Sequence, residues 1–240
     1  AAIAAVASLR SRDVRFTGAD REELLTTAAE SLDRLNQLVQ NLLDMSRLQA
    51  GALGLTTAPI WLDEAVPRAL DELGEPGRAV AVDIPEDLPA VNADPGLLQR
   101  ALVNLAANAL RFSPAQRPPL ITAAEQDDSV QLRLIDHGPG VPEQDRDQIF
   151  LPFQRLGDRD NDTGVGLGLA LSRGLIEAMG GTLAPETTPG GGLTMVLTLP
   201  ASEPVAEGPA GADAARAAEA AEQAIVHRLH RRQPSDEDRS

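Results

Sequence analysis

The longest periodic pattern in the sequence spans residues 20–48 and predicts one long helix. Its apolar residues recur at alternating steps of three and four, the spacing of a coiled-coil or four-helix-bundle seam: Leu25, Ala28, Leu32, Leu35, Val39 and Leu42. Asp20 and Glu23 are spaced like a capping box at its start. Leu24, Leu38 and Leu43 widen the apolar face, so we expect residues 1–9 to cover it as an antiparallel partner. Ordinary packing of helices within one domain is the more common origin of such a stripe, and oligomerisation stays an inference.

After Gly51 the pattern becomes a mixture of short strands and helices. Strands are predicted at 58–62, 79–84, 120–124, 130–135 and 193–199, and helices at 63–73, 94–112 and 166–179. Asp94 followed by Pro95 is a strong helix start, because it joins a capping side chain to a proline at the first helical position. The elements lack βαβ regularity, which favours an α+β domain with helices on one face of a mixed sheet.

The chain divides into three predicted regions. A helical hairpin occupies residues 1–52 and the α+β domain residues 53–200. From residue 201 to 240, Pro, Gly, Ala and Glu dominate and predict a disordered tail, with a frayed helix at 214–231.

Composition narrows the function classes. With 240 residues and 42% hydrophobic content, the chain can bury one or two ordinary cores. Its formal charge of −15 argues against nucleic acid, which needs clustered cations, and the absence of cysteine excludes disulfides and thiolate sites. No apolar stretch approaches the roughly 20 residues of a membrane span. The chain begins with Ala rather than Met, so we expect upstream segments to be missing.

The first candidate site segment is the predicted helix at 94–112. It places Asn104, Asn108 and Arg111 on one face, beside an apolar face made of Leu98, Leu102, Leu105, Ala109 and Phe112. Amide oxygens at the edge of a cleft suit Mg²⁺, and an arginine fork suits phosphate. Taken alone, such residues are more often capping or surface groups.

The second segment, Asp136-His137-Gly138-Pro139-Gly140, delivers an acid at the end of a predicted strand. A carboxylate there can accept a hydrogen bond from the exocyclic amine of adenine, and glycines allow backbone to approach the base. A plain turn is the more common origin of this composition.

The remaining two segments are aromatic and glycine-rich. Phe150 and Phe153 are two of only four phenylalanines; such pairs usually pack in a core, but here they could shape a cover. Gly164, Gly166 and Gly168 open into a helix, where backbone amides can cradle phosphates. The segment is neither a dinucleotide fingerprint nor a Walker loop, since the chain has no Lys. The polar residues 155–162 have the composition of a flexible lid.

In this order, the four segments resemble the N, G1, F and G2 boxes of the sensor histidine kinases of two-component systems. The resemblance covers residues 1–200, and residues 41–51 are similar to the Kdp-type, potassium-responsive group. It implies a Bergerat-type (GHKL) ATP-binding α/β sandwich, preceded by part of the helical hairpin that serves for dimerisation and carries the phosphoacceptor.

The resemblance also implies roles for residues. Asn108 would bind Mg²⁺, Asn104 would assist one turn earlier, Arg111 would meet phosphate, and these three form the catalytic set. Asp136 would read adenine with support from Thr194. The other implied nucleotide contacts are Phe112, Gly138, Gly140, Phe150, Phe153, Arg155, Gly164, Gly166, Leu167 and Gly168.

By the same resemblance, the chain is the catalytic region of an ATP-dependent protein-histidine kinase. With ATP and Mg²⁺ as cofactors, it would transfer the γ-phosphoryl group to a histidine, which relays it to an aspartate of a response regulator. The full-length protein would be a homodimer and an inner-membrane sensor, anchored by absent upstream segments, with this part in the cytoplasm.

Two residue positions refine that expectation. Chaperone and mismatch-repair ATPases of this fold carry a water-activating glutamate where this chain has Asn104, which favours a kinase over a hydrolase. Transfer to a neutral imidazole needs no such base. The acceptor box should lie before residue 1, and the only histidines are His137, His227 and His230, so this fragment is not expected to autophosphorylate.

Two rival functions stay open. An anti-sigma-factor kinase of the same fold would phosphorylate serine, but the long heptad helix disfavours it. A non-catalytic module that binds nucleotide or a partner protein is favoured by the truncated hairpin and disfavoured by the intact N, G1 and G2 boxes.

Overall fold

Two N-terminal helices pack against each other in the computed structural model, which describes residues 1–10, 16–154 and 166–202. Helix α1 (Ala2–Arg10) contacts helix α2 (Gly18–Gln49), and Ala5 and Ala28 are buried. The predicted capping box is one turn late. Thr17 caps α2 by accepting from the Asp20 N–H, and Asp20 is the partner that accepts from the Thr17 N–H. Helix α2 therefore begins earlier than the apolar pattern indicated.

Apart from the buried Ala28, the predicted seam of α2 faces solvent in this single chain. Leu25, Leu32, Leu35, Val39 and Leu42 are each about half exposed, at 46–57%. The short helix α1 does not cover them as the apolar pattern required. An apolar seam of this length stabilises the folded protein only when another apolar surface covers it and removes it from water.

A five-stranded mixed sheet and a two-stranded sheet follow. The large sheet has the order β2 (Ala81–Asp83), β4 (Leu120–Gln126), β5 (Ser129–Ile135), β7 (Leu193–Pro200), β6 (Thr182–Thr187). Strands β2 and β4 are parallel and the other pairs are antiparallel. In the small sheet, β1 (Ala58–Ile60) pairs antiparallel with β3 (Val91–Ala93).

Three helices cover one face of the large sheet: α3 (Leu62–Glu72), α4 (Pro95–Phe112) and α5 (Gly168–Ala178). Strand β5 has one buried and one partly exposed face: Val130, Leu132 and Leu134 are buried, while the alternate residues are half-exposed. Leu98, Leu102 and Leu105 of α4 join the same core. The α+β fold with helices on a mixed sheet is thus confirmed. None of the helices in the described ranges is long and apolar enough to cross a membrane.

The predicted start of α4 is confirmed, and it also ties the preceding segment to the domain. The carboxylate of Asp94 accepts from the N–H groups of Gly96 and Leu97 at 3.0 and 3.1 Å through one oxygen. Its other oxygen accepts from the Thr56 N–H at 2.9 Å. One side chain therefore fixes both the helix start and the stretch before β1.

The C-terminal turns of α2 dock on α4 and α5. Arg100 of α4 forms an ion pair with the buried Asp44 and donates to the side-chain oxygen Oδ1 of Asn41 at 3.2 Å. Leu48 lies so close to Gly174 of α5 that a Cβ there would be 2.7 Å from Leu48 Cδ2. Polar and steric complementarity together hold the end of α2 in place.

Candidate functional site

Helix α4 presents the polar stripe predicted for it. Asn104 and Asn108 are half-buried, and Arg111 in the last turn is exposed. The amide nitrogen of Asn104 is buried and has no hydrogen-bond partner among the described residues. Leaving a buried donor unpaired costs about 1–3 kcal/mol, so the position is suited to an incoming acceptor.

Phe112 departs from its predicted place in the core. It is 43% exposed, because α4 ends there and its last turn projects beyond the packed part of the helix. The Arg111 guanidinium carbon lies 5.2 Å from the centroid of the Phe112 ring, a cation–π contact. The end of α4 thus offers an exposed cation next to an exposed aromatic face.

Asp136 is held rigidly at the end of β5. Its carboxyl oxygen Oδ1 accepts from the N–H groups of Gly138 and Leu193, both at 2.9 Å, and the side chain is 6% exposed. Two backbone donors fix the plane of the carboxylate. No hydrogen bond from a described residue reaches the second oxygen, which leaves it available as an acceptor.

Close backbone contacts clamp the turn at 136–140. A Cβ on Gly138 would lie 2.8 Å from the Phe112 carbonyl oxygen, so this turn touches the end of α4. A Cβ on Gly140 would lie 2.9 Å from the Gly192 carbonyl oxygen, so the turn also touches the β6–β7 hairpin. The first and second predicted segments are therefore adjacent in space.

His137 makes hydrogen bonds at the rim of this turn. Its N–H donates to the Ser113 hydroxyl at 3.2 Å, and its Nδ1 lies 3.2 Å from the Arg117 guanidinium. Arginine is a donor only, so Nδ1 is the acceptor in this contact. These contacts make His137 a hydrogen-bonding residue at the rim of the turn.

The two phenylalanines have separate environments. Phe150 is buried, 7% exposed, with the Arg173 guanidinium 4.6 Å above its ring, so it belongs to the core rather than to a cover. Phe153 is 61% exposed and has a positive φ of 64°, which is uncommon for a non-glycine residue. Its N–H donates to the Gly166 carbonyl at 3.0 Å, so the third and fourth segments meet there.

The start of α5 is open to an anion. Leu167 is buried and precedes the helix without a side-chain cap, and a Cβ on Gly168 would meet no heavy atom within 4 Å. Uncapped N–H groups in a first helical turn are suited to phosphate oxygens. The helix begins two residues later than predicted, and Arg155, Gly164 and the predicted lid at 155–162 lie outside the described residues.

Thr194 occupies the strand next to Asp136. It pairs with Ile135 across β5 and β7 and is 3% exposed. Its hydroxyl lies 2.9 Å from that of Thr188, a buried residue that the sequence analysis missed. The motif around Thr188, Thr-Thr-Pro-Gly, is indistinguishable from an ordinary turn in the sequence, so no signal identified it.

A metal ion at this site would need ligands from the bound nucleotide in addition to those from the protein. Within the described ranges, no three histidine, aspartate or glutamate side chains are grouped so that they could hold a cation. The amide oxygens of α4 fit an ion that keeps water and takes further ligands from phosphates, which is the preference of Mg²⁺.

Residues 93–203 match the protein family described as histidine kinase-, DNA gyrase B-, and HSP90-like ATPase. The chain is 55% identical over 179 residues to the sensor protein KdpD of Rathayibacter rathayi, covering 75% of this chain and 21% of that protein. It is 47% identical over 211 residues to the sensor protein KdpD of Mycobacterium tuberculosis H37Rv, covering 85% and 24%. Among solved structures, full-length ShkA in complex with AMPPNP is similar, with 30% identity, a TM-score of 0.65, and coverage of 81% of this chain and 41% of that one. The chain therefore spans about a fifth to a quarter of the length of these curated relatives.

Proposed function

We infer that this chain belongs to the KdpD-like sensor histidine kinases, and on that premise we propose that it binds Mg-ATP and transfers the γ-phosphoryl group to a histidine of a helical hairpin. The phosphoryl group would then pass to an aspartate of a response regulator. The region at 53–200 would be the catalytic domain, residues 1–52 the remnant of the hairpin, and residues 201–240 a tail.

The observation that carries the proposal is the fixed carboxylate of Asp136. Two backbone donors occupy Oδ1, so Oδ2 can accept from the exocyclic amine of adenine without any rearrangement. The glycines of the same turn let it pack closely against the end of α4 and the β6–β7 hairpin, which fixes the backbone at the proposed adenine end. A guanine would present a carbonyl oxygen to this carboxylate and be disfavoured.

The phosphate end would lie between α4 and α5. The first-turn amides of α5, from Gly168 onward, would bind phosphate oxygens, and Arg111 would supply a cation. Asn108 would hold Mg²⁺, which neutralises charge on the phosphates, and the unpaired amide of Asn104 would donate to a phosphate oxygen or a metal-bound water. Phe112, Phe153, Gly166 and Leu167 are further contacts that we propose for the nucleotide. Arg155 and Gly164 are proposed as well and lie outside the described residues.

Asn104 also supports kinase activity over hydrolysis. An amide cannot remove a proton from water, whereas a neutral imidazole attacks through its own lone pair. Positioning and charge neutralisation are then sufficient for transfer. The acceptor histidine is not among the described residues of α1, and we propose that this chain phosphorylates a hairpin in trans rather than itself.

The exposed seam of α2 supports a homodimer. Leu25, Leu32, Leu35, Val39 and Leu42 form one apolar stripe, and a second copy of the hairpin would cover it in a four-helix arrangement. The response regulator and a location on the cytoplasmic side of the membrane are further parts of the same proposal.

Calorimetric titration with a non-hydrolysable ATP analogue tests the site. We expect saturable, Mg²⁺-dependent binding that Asp136→Asn abolishes, because the change places an amide donor where the adenine amine must be accepted. Asn108→Ala should leave residual binding that no longer depends on Mg²⁺. Asp83→Asn on the exposed strand β2 is the matched control and should bind normally. Failure of the unmutated chain to bind would leave a nucleotide-free, dimerising module as the better account.

A further inference from the structure

A buried pair of hydroxyl groups lies beneath the proposed adenine end. Thr188, directly after β6, and Thr194, near the start of β7, are each 3% exposed, and their Oγ1 atoms are 2.9 Å apart. Each is the only described partner that the other hydroxyl has. Burying two hydroxyls against each other costs desolvation that a valine would avoid, so core packing alone does not account for the pair.

Thr188 is itself clamped by the hairpin turn. Its N–H donates to the Gly192 carbonyl at 3.2 Å, and its carbonyl accepts from the Gly191 N–H at 3.0 Å. The three consecutive glycines from 190 to 192 all have positive φ. A Cβ on Gly192 would lie 2.1 Å from the Asp136 carbonyl oxygen, so the turn is pressed directly against the loop that carries the acid.

The pair controls which hydrogen-bonding role Thr194 can take. A threonine hydroxyl has one proton and two lone pairs. When Thr188 donates, the proton of Thr194 is left for another acceptor, and when Thr194 donates, its lone pairs are left for another donor. In both cases Thr188 fixes the side-chain rotamer of Thr194, next to Leu193, whose N–H holds the Asp136 carboxylate.

We propose that Thr188 is a positioning residue for nucleotide recognition: its hydroxyl orients that of Thr194 at the adenine end of the site. The inference rests on the proposed function, since it assigns Thr188 to the same nucleotide site. Thr188 acts through Thr194 and does not itself touch the base. The β6–β7 hairpin is therefore part of the recognition machinery as well as of the fold.

A double-mutant cycle tests this relation. Thr188→Val should weaken binding of the non-hydrolysable ATP analogue about fivefold, the worth of one neutral hydrogen bond. In a chain that already carries Thr194→Val, adding Thr188→Val should change the affinity by no more than about 1.5-fold, because the two changes then remove the same contact. ADP should show the same loss, because the pair adjoins Asp136 rather than the start of α5.

Two variants separate positioning from mere support of the hairpin. Thr188→Ser keeps the hydroxyl and should restore affinity to within about twofold of the unmutated chain. Thr187→Val makes the same substitution at the neighbouring exposed residue, whose hydroxyl contacts Arg146, and should leave binding unchanged. If the Thr188→Val variant does not fold, Thr188→Ala replaces it in the double-mutant cycle.

Each outcome decides the question. Additive losses in the cycle, equal losses in the serine and valine variants, or a loss confined to the triphosphate would overturn the positioning role while leaving ATP binding intact. Absence of binding by the unmutated chain would overturn the proposed function and this inference together.

Discussion

Replacing Gly192 by alanine should damage both the fold and the nucleotide site. Gly192 has a φ of 119°, a conformation that L side chains rarely adopt. A Cβ there would lie 2.1 Å from the Asp136 carbonyl oxygen and 2.9 Å from the Cα of His137. Both neighbours are backbone atoms, so the collision can be relieved only by moving one of the two turns.

The magnitude follows from two separable costs. Backbone strain at such a φ is worth about 1–3 kcal/mol. Forcing an extra methyl group into a closely packed site adds about 1–3 kcal/mol. Gly190→Ala isolates the first cost, because Gly190 has a φ of 86° but its nearest atom would be 3.9 Å away, at the end of the Arg117 side chain.

Urea unfolding of the two variants measures the difference. We expect Gly192→Ala to lower the free energy of unfolding by about 2 kcal/mol more than Gly190→Ala does. Calorimetry should show weaker binding of the ATP analogue in Gly192→Ala alone, because displacement of the turn disturbs Asp136. Equal destabilisation by both variants would refute the inferred contact between the hairpin and the acid-bearing turn.

Three further predictions concern α2 and the start of α4. Arg100→Ala should lower the free energy of unfolding by about 2 kcal/mol, because it leaves the buried carboxylate of Asp44 with only the longer, 3.7 Å contact to the exposed Arg47. Adding Asp44→Asn should recover part of the loss in thermal melts. Asp94→Ala should cost about 1–2 kcal/mol through loss of the cap, measured by urea unfolding, with the exposed Asp83→Ala as control. The pKa of Asp20 lies below its ordinary value of 3.8, because its carboxylate accepts from the Thr17 backbone N–H and the Thr17 side chain. The contribution of this carboxylate to the stability of α2 is therefore complete above pH 3.8 and is lost as the pH falls through the lowered pKa. Asp20→Asn should remove that pH dependence from the NMR signals of the first helical turn, and an unchanged profile would contradict it.

The long elements of the fold were predictable because their signals are local. Helix α4 has both a capping residue and an apolar period over five turns, and the structure gives the predicted start at Asp94. Strand β5 alternates along its whole length. The mixed sheet with helices on one face followed from the order of these elements.

The short elements were not predictable from periodicity. Strand β3 has three residues, too few to show alternation, and β6 contains a proline that disfavours a strand assignment. The cap of α2 was missed because Thr17 lies before the first apolar residue of the pattern. Phe112 matched the apolar period of α4, but the helix ends there and the side chain is exposed.

The chemistry of the site divides in the same way. Asn104, Asn108 and Asp136 could be proposed from the sequence because their motifs stand in a recognisable order. Thr188 was not found, because its importance depends on a contact between two strands that pair only in the folded chain. Which residues support a motif is decided by packing, and a sequence pattern does not contain that information.

Phosphoryl transfer in trans is the most direct test of the central claim. The chain would be incubated with Mg²⁺, γ-labelled ATP and a separately produced helical hairpin of a sensor histidine kinase that carries a candidate acceptor histidine. We predict an acid-labile, base-stable label on the hairpin, none on the chain itself, and loss of the label with Asn108→Ala. An acid-stable label on serine, or no label despite proven ATP binding, would contradict the assignment as a histidine kinase.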